Sequence, residues 1–129
     1  MAWKYNQATG QLTRPDGAKA GFGFAGQGQG LNNPAMESVV NTGPLPKGEY
    51  TMTQWMEAHP SLGLCVIQLE PASTNQMFGR SAFFIHGTSN LTTRGLNVFL
   101  RSSEGCICYG DCTSRRGIWN SGDRILKVE

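Results

Sequence analysis

Two side chains in this 129-residue chain have the types and spacing for nucleophilic catalysis, His86 and Cys106. Cysteine attacks as the thiolate, and an imidazole in reach favours that form by taking the proton. His86 ends the apolar run Ala82-Phe83-Phe84-Ile85 and is followed by Gly87; twenty positions later comes Ser103-Glu104-Gly105-Cys106-Ile107. A glycine just before the nucleophile lets the backbone turn tightly, so that successive amides face one point. The N–H groups of Gly105 and Cys106 would then form an oxyanion hole for a tetrahedral intermediate. Ser103 is a candidate for positioning the loop by hydrogen bonding, and Gly87 for close packing beside His86. Taken singly, such a cysteine reads as a small core residue and such a histidine as a hydrogen-bonding one. The pair is what points to chemistry.

The remaining candidates are weaker. Cys106-x-Cys108-x3-Cys112 with His86 upstream offers four zinc ligands, but a C-x-C start is atypical of zinc sites. Four cysteines in a short chain also allow disulfides. With Cys106 kept reduced for catalysis, a bridge draws on Cys65, Cys108 and Cys112. Cys108–Cys112 across the Tyr109-Gly110-Asp111 turn is the first choice, and Cys65 with one of them the second. His59, in a polar stretch before Pro60, reads as exposed and non-catalytic. Gly21, Gly23 and Gly26 match G-x-G-x-x-G on paper, but a dinucleotide fingerprint needs a strand before and a helix after. More glycines and Asn32-Asn33-Pro34 follow here, so the segment reads as a loop.

The elements that must position His86 and Cys106 are mostly strands. Trp3–Tyr5 and Gln11–Thr13 flank the turn Ala8-Thr9-Gly10, and a second turn falls at Pro15-Asp16-Gly17. Asn33 with Pro34 at the first helical position starts a short helix running toward Val40. Glu49–Trp55 alternates in strand fashion, and Leu64–Glu70 is the most strand-like run. Ala82–Ile85 delivers His86, Asn97–Leu100 is a further candidate, and Arg124–Val128 closes the chain. The expectation is a mainly β single domain over 1–129 with one or two short helices.

Composition excludes several classes. Eleven Lys and Arg against nine Asp and Glu give a net charge of only +2, too weak and too scattered to suggest nucleic-acid binding. No stretch has the apolar length of a membrane span. The N-terminus, Met1-Ala2-Trp3-Lys4-Tyr5, has no apolar signal core, so the expectation is a protein made in the cytoplasm without a signal peptide and exported, if at all, by another route.

Ile85-His86-Gly87-Thr88 followed by Ser103-Glu104-Gly105-Cys106-Ile107 resembles the active-site signature of the L,D-transpeptidase catalytic domain, in which His precedes Cys. Papain-like and NlpC/P60-type cysteine peptidases have the reverse order. Pro44-Leu45-Pro46-Lys47-Gly48-Glu49-Tyr50 resembles that family's Pro-x-Gly-x-aromatic segment. Over nearly the whole chain, Trp3-x-Tyr5-x-Gln7-x-Thr9-Gly10-x-Leu12, the Gly-rich segment, Asn32-Asn33-Pro34 and Asn41-x-Gly43-Pro44 are similar to the small L,D-transpeptidase-like effectors of type VI secretion, once catalogued as a domain of unknown function. The resemblance implies a β-sandwich or barrel and a toxin delivered to the periplasm of a rival bacterium. It implies action on peptidoglycan tetrapeptide stems, as an L,D-carboxypeptidase or by exchange of the terminal D-alanine. Cys106 would be nucleophile and His86 base, with no cofactor or metal; partners would be the secretion apparatus and a cognate immunity protein. Many L,D-transpeptidases carry Arg soon after the Cys-apolar pair, whereas Cys108 and Tyr109 stand here. Arg115 or Arg116 would replace it, or it is absent. A non-catalytic cell-wall binding module of the same fold and a small zinc protein remain the alternatives.

Overall fold

The computed structural model describes residues 2–87 and 104–129. Among the described residues, nine strands form one sheet: β1 (Ala2–Tyr5), β2 (Gln11–Thr13), β3 (Lys19–Phe22), β4 (Phe24–Ala25), β5 (Gly48–His59), β6 (Gly63–Pro71), β7 (Phe83–His86), β8 (Ile107–Cys108) and β9 (Ile125–Val128). Their order across the sheet is β3-β2-β1-β9-β5-β6-β7-β8-β4. The strands at its two ends, β3 and β4, are separated along the chain by Gly23 alone. Its edges are therefore drawn together covalently and the sheet curls on itself, a barrel-like solution to the edge-strand problem. Gly23 N–H donates to the Gly10 carbonyl at 2.8 Å and pins this seam to the β1–β2 turn.

The mainly β expectation is met. β5 and β6 form a long antiparallel hairpin, with a register shift between Met52 and Gln54. β7 pairs antiparallel with β6. The chain end reaches the sheet interior, because β9 lies between β1 (parallel) and β5 (antiparallel). Alternation puts Trp3, Tyr5, Leu12, Tyr50, Met52, Ile67, Ile85, Ile107 and Leu126 into one buried cluster.

Asn33 caps as anticipated, its side chain accepting from Ala35 N–H at 3.1 Å, but the following turn is 3-10 and ends at Met36 instead of reaching Val40. The Gly-rich segment is not all loop, since β3 and β4 run through it. One helix, α1 (Cys112–Asn120), was not anticipated. Asp111 caps it by accepting from Ser114 N–H at 2.8 Å. Asn97–Leu100 lies outside the described residues. Among the described residues, no helix is long and apolar enough to cross a membrane.

Candidate active site

β7 and β8 run parallel in the register Ile85↔Ile107 and His86↔Cys108. Ile85 and Ile107 are fully buried in the core. Their neighbours His86 and Cys108 therefore share the opposite face. Cys106 sits immediately before β8, at the level of Phe84. His86 and Cys106 thus sit on neighbouring parallel segments, offset by two residues along the strands. His86 and Cys106 both line a cavity of about 840 Å³, together with Phe83, Phe84, Arg80 and Glu104.

His86 Nδ1 lies 2.8 Å from the Gly87 carbonyl. A carbonyl can only accept, so Nδ1 carries the proton in this pairing and Nε2 keeps the lone pair a base needs. Burial is the main influence on the ring and holds its pKa below the ordinary value; the Gly87 hydrogen bond opposes this, while the charges of Arg115 and His59 add to it. Burial pushes the Cys106 thiol up to about 11; a backbone hydrogen bond at Phe84 opposes it, Glu104 adds to it, and Arg80 opposes it. Cys106 Sγ lies 3.8 Å from the Ala82 carbonyl. The sulfur packed on the imidazole belongs to Cys108, 3.8 Å from Nδ1 and 3.9 Å from Nε2. Burial raises that thiol to about 12.

Arg80 organises the loop that carries Cys106. It is buried, and its guanidinium donates to four backbone carbonyls: Glu37 at 2.5 Å, Pro44 at 2.8 Å, Gly43 at 3.0 Å and Glu104 at 3.1 Å. Leu45 N–H adds a bond to the Gly105 carbonyl at 3.0 Å. Gly105 adopts φ +125°, and a Cβ there would fall within the Arg80 guanidinium. The Pro44-x-Pro46 segment and the Gly105-Cys106 loop, far apart in sequence, are thus tied through one side chain. Arg80 carried no motif signal, and only a fixed-spacing pattern around it could have exposed it.

Neither Arg115 nor Arg116 lines the cavity. Arg115 is buried on α1 and donates to the carbonyls of Cys65 at 2.7 Å and Tyr109 at 2.9 Å. It packs on Gly87, where a Cβ would stand 2.7 Å from its Nη1. The close neighbour at Gly87 is thus Arg115. Arg116 lies exposed over the Trp55 ring, 5.2 Å from its centroid. His59 is a partial correction: it is half-buried and lines the cavity. Ser103 lies outside the described residues.

The preferred Cys108–Cys112 bridge is overturned, and the second choice holds in the form Cys65–Cys112, with Cα atoms 5.4 Å apart. The reason is local. β8 turns Cys108 toward His86, whereas the Asp111 cap starts α1 at Cys112 and packs it on β6, which holds Cys65. Cys106 and Cys108 are thiols outside the bridge. Cys112 is thereby withdrawn from the four-ligand zinc set.

A histidine and a thiol thus line one cavity of a mainly β, single-sheet protein. The family model of the Tlde1 domain matches residues 20–124. The chain belongs to that family, which is one of type VI secretion effectors. No curated protein and no solved structure matches the chain.

Proposed function

We propose that the protein is a cysteine-dependent L,D-carboxypeptidase or L,D-transpeptidase acting on the tetrapeptide stems of peptidoglycan in the periplasm of a target bacterium. The observation that carries the reading is that His86 and Cys106 open onto one cavity in a chain of the Tlde1-domain family. His86 Nε2 takes the proton from Cys106 Sγ as the sulfur attacks the carbonyl carbon between meso-diaminopimelate and D-alanine. Amides of Gly105 and Cys106 receive the oxyanion. The tetrahedral intermediate collapses by breaking the C–N bond. The imidazolium returns its proton to the departing D-alanine amine, leaving a thioester on Cys106. Water then releases the tripeptide and restores the thiol, or the amine of another D-amino acid takes the acyl group. The secretion apparatus and a cognate immunity protein are the partners of this reading.

A second reading rests on the 3.8 Å approach of Cys108 Sγ to His86 and makes Cys108 the nucleophile. Cys108 does not line the large cavity, which favours Cys106. Purified muropeptides separate the two. Cys106→Ala is expected to abolish tripeptide formation with a melting temperature within about 4 °C of wild type. Cys108→Ala is expected to keep at least a tenth of the activity. The reverse pattern would transfer the role to Cys108, and full activity in both variants would end the cysteine mechanism.

A further inference from the structure

His59, at the end of β5, shares the wall of the cavity that holds His86 and Cys106. Its ring is held in place from two sides. Nδ1 accepts the backbone N–H groups of Ser61 and Leu62, both at 3.1 Å, and so closes the tip of the β5–β6 hairpin. The ring meets Phe84 edge-on, with centroids 5.1 Å apart at 64°. Phe84 and His86 are two residues apart on β7 and project from the same face.

This anchoring fixes the tautomer. A nitrogen that accepts two N–H groups cannot carry a proton of its own, so the neutral ring holds its hydrogen on Nε2. Among the described residues, Nε2–H makes no hydrogen bond. Among the described residues lining the cavity, Arg80 is engaged by four backbone carbonyls. The wall beside the base therefore presents a rigid, oriented donor.

We infer that His59 is a substrate-binding residue, donating from Nε2–H to a carbonyl or carboxylate oxygen of the peptide seated against His86 and Cys106. The inference rests on the stem-peptide reading above. It assigns His59 a share of ground-state binding and no proton transfer, because its basic nitrogen is spent on the hairpin.

The test measures binding of a tetrapeptide stem by calorimetry in Cys106→Ala protein, which holds the peptide without consuming it. His59→Asn retains an acceptor for the Ser61 and Leu62 amides but lacks a donor at the Nε2 position. It is expected to weaken binding about tenfold, the loss of one hydrogen bond to a polar or charged oxygen. With Cys106 intact, the same substitution is expected to raise KM about tenfold and leave kcat within about twofold. His59→Gln, whose amide reaches the Nε2 position, is expected to recover most of the affinity. Unchanged affinity and KM in His59→Asn, with a native melting temperature, would overturn the inference. Failure of the Cys106→Ala parent to bind the stem would overturn the stem-peptide reading itself, a result visible before His59 is touched.

Discussion

At His86 and Cys106 the physical question is which protonation state rests in the site. Burial lowers the imidazole and raises the thiol to about 11, so the neutral pair is the resting form near pH 7. The reaction then depends on proton transfer concerted with attack and not on a standing thiolate. Alkylation of Cys106 by iodoacetamide is accordingly expected to be slow at neutral pH and to climb toward pH 11. A rate already on a plateau at pH 6 would mean a preformed ion pair and contradict this account. Turnover needs His86 unprotonated, so the acid limb of kcat/KM is expected below the ordinary imidazole value of about 6.5. His86→Ala should cost roughly 10²–10⁴ in kcat. The stability sign follows from the same lowering: the unfolded chain binds a proton at His86 before the folded one does. Stability is complete above about pH 6.5 and declines as pH falls toward the folded value. His86→Gln should flatten that part of the curve of unfolding free energy against pH.

At the level of elements, legibility divided by the kind of signal each segment carried. β5, β6, β7 and β9 could be read because apolar residues alternate or run together in them. That same reading brought His86 to a strand end. β8 could not be read, since two residues have no period. α1 was hidden because the position that should show an apolar stripe is Arg115, buried only because backbone carbonyls satisfy its guanidinium. Arg80 escaped for a similar reason: four carbonyls from three separate segments converge on it, and no local pattern records that. Arg80→Met is expected to destabilise the fold by roughly 3 kcal/mol by leaving buried carbonyls without donors, read as a lower urea midpoint. Arg80→Lys keeps the charge but not the fork, so it should lose activity through a misplaced Cys106 loop. Wild-type stability and turnover in both would show that the clamp is dispensable. The Cys65–Cys112 bridge came only second because spacing favours short loops, whereas packing of α1 on β6 decides the pairing.

For the molecule as a whole, that bridge links structure to compartment. It closes a loop of 47 residues between the sheet and the helix packed on it, which in the chain-entropy account contributes about 4 kcal/mol. Such a bond forms in the oxidising periplasm and is kept reduced in the cytosol. The proposed substrate lies on the same side of the membrane as the oxidant. Protein recovered from the periplasm is therefore expected to carry Cys65–Cys112 and two thiols per denatured chain, Cys106 and Cys108. Protein recovered from the cytosol should carry four thiols and melt earlier. Peptide mapping without reductant reads the connectivity, and a Cys106-containing bridge in protein that still turns over substrate would contradict the mechanism. Growth supplies the matching test. Cytosolic expression is expected to be mild, because the stems are out of reach. The same chain carrying a periplasmic signal peptide should cause swelling or arrest, because a trimmed stem can no longer donate in crosslinking. Cys106→Ala should remove that toxicity, while Cys65→Ala with Cys112→Ala should reduce it only in step with lost stability. Equal toxicity from both compartments, or toxicity that survives Cys106→Ala, would move the target away from the cell wall.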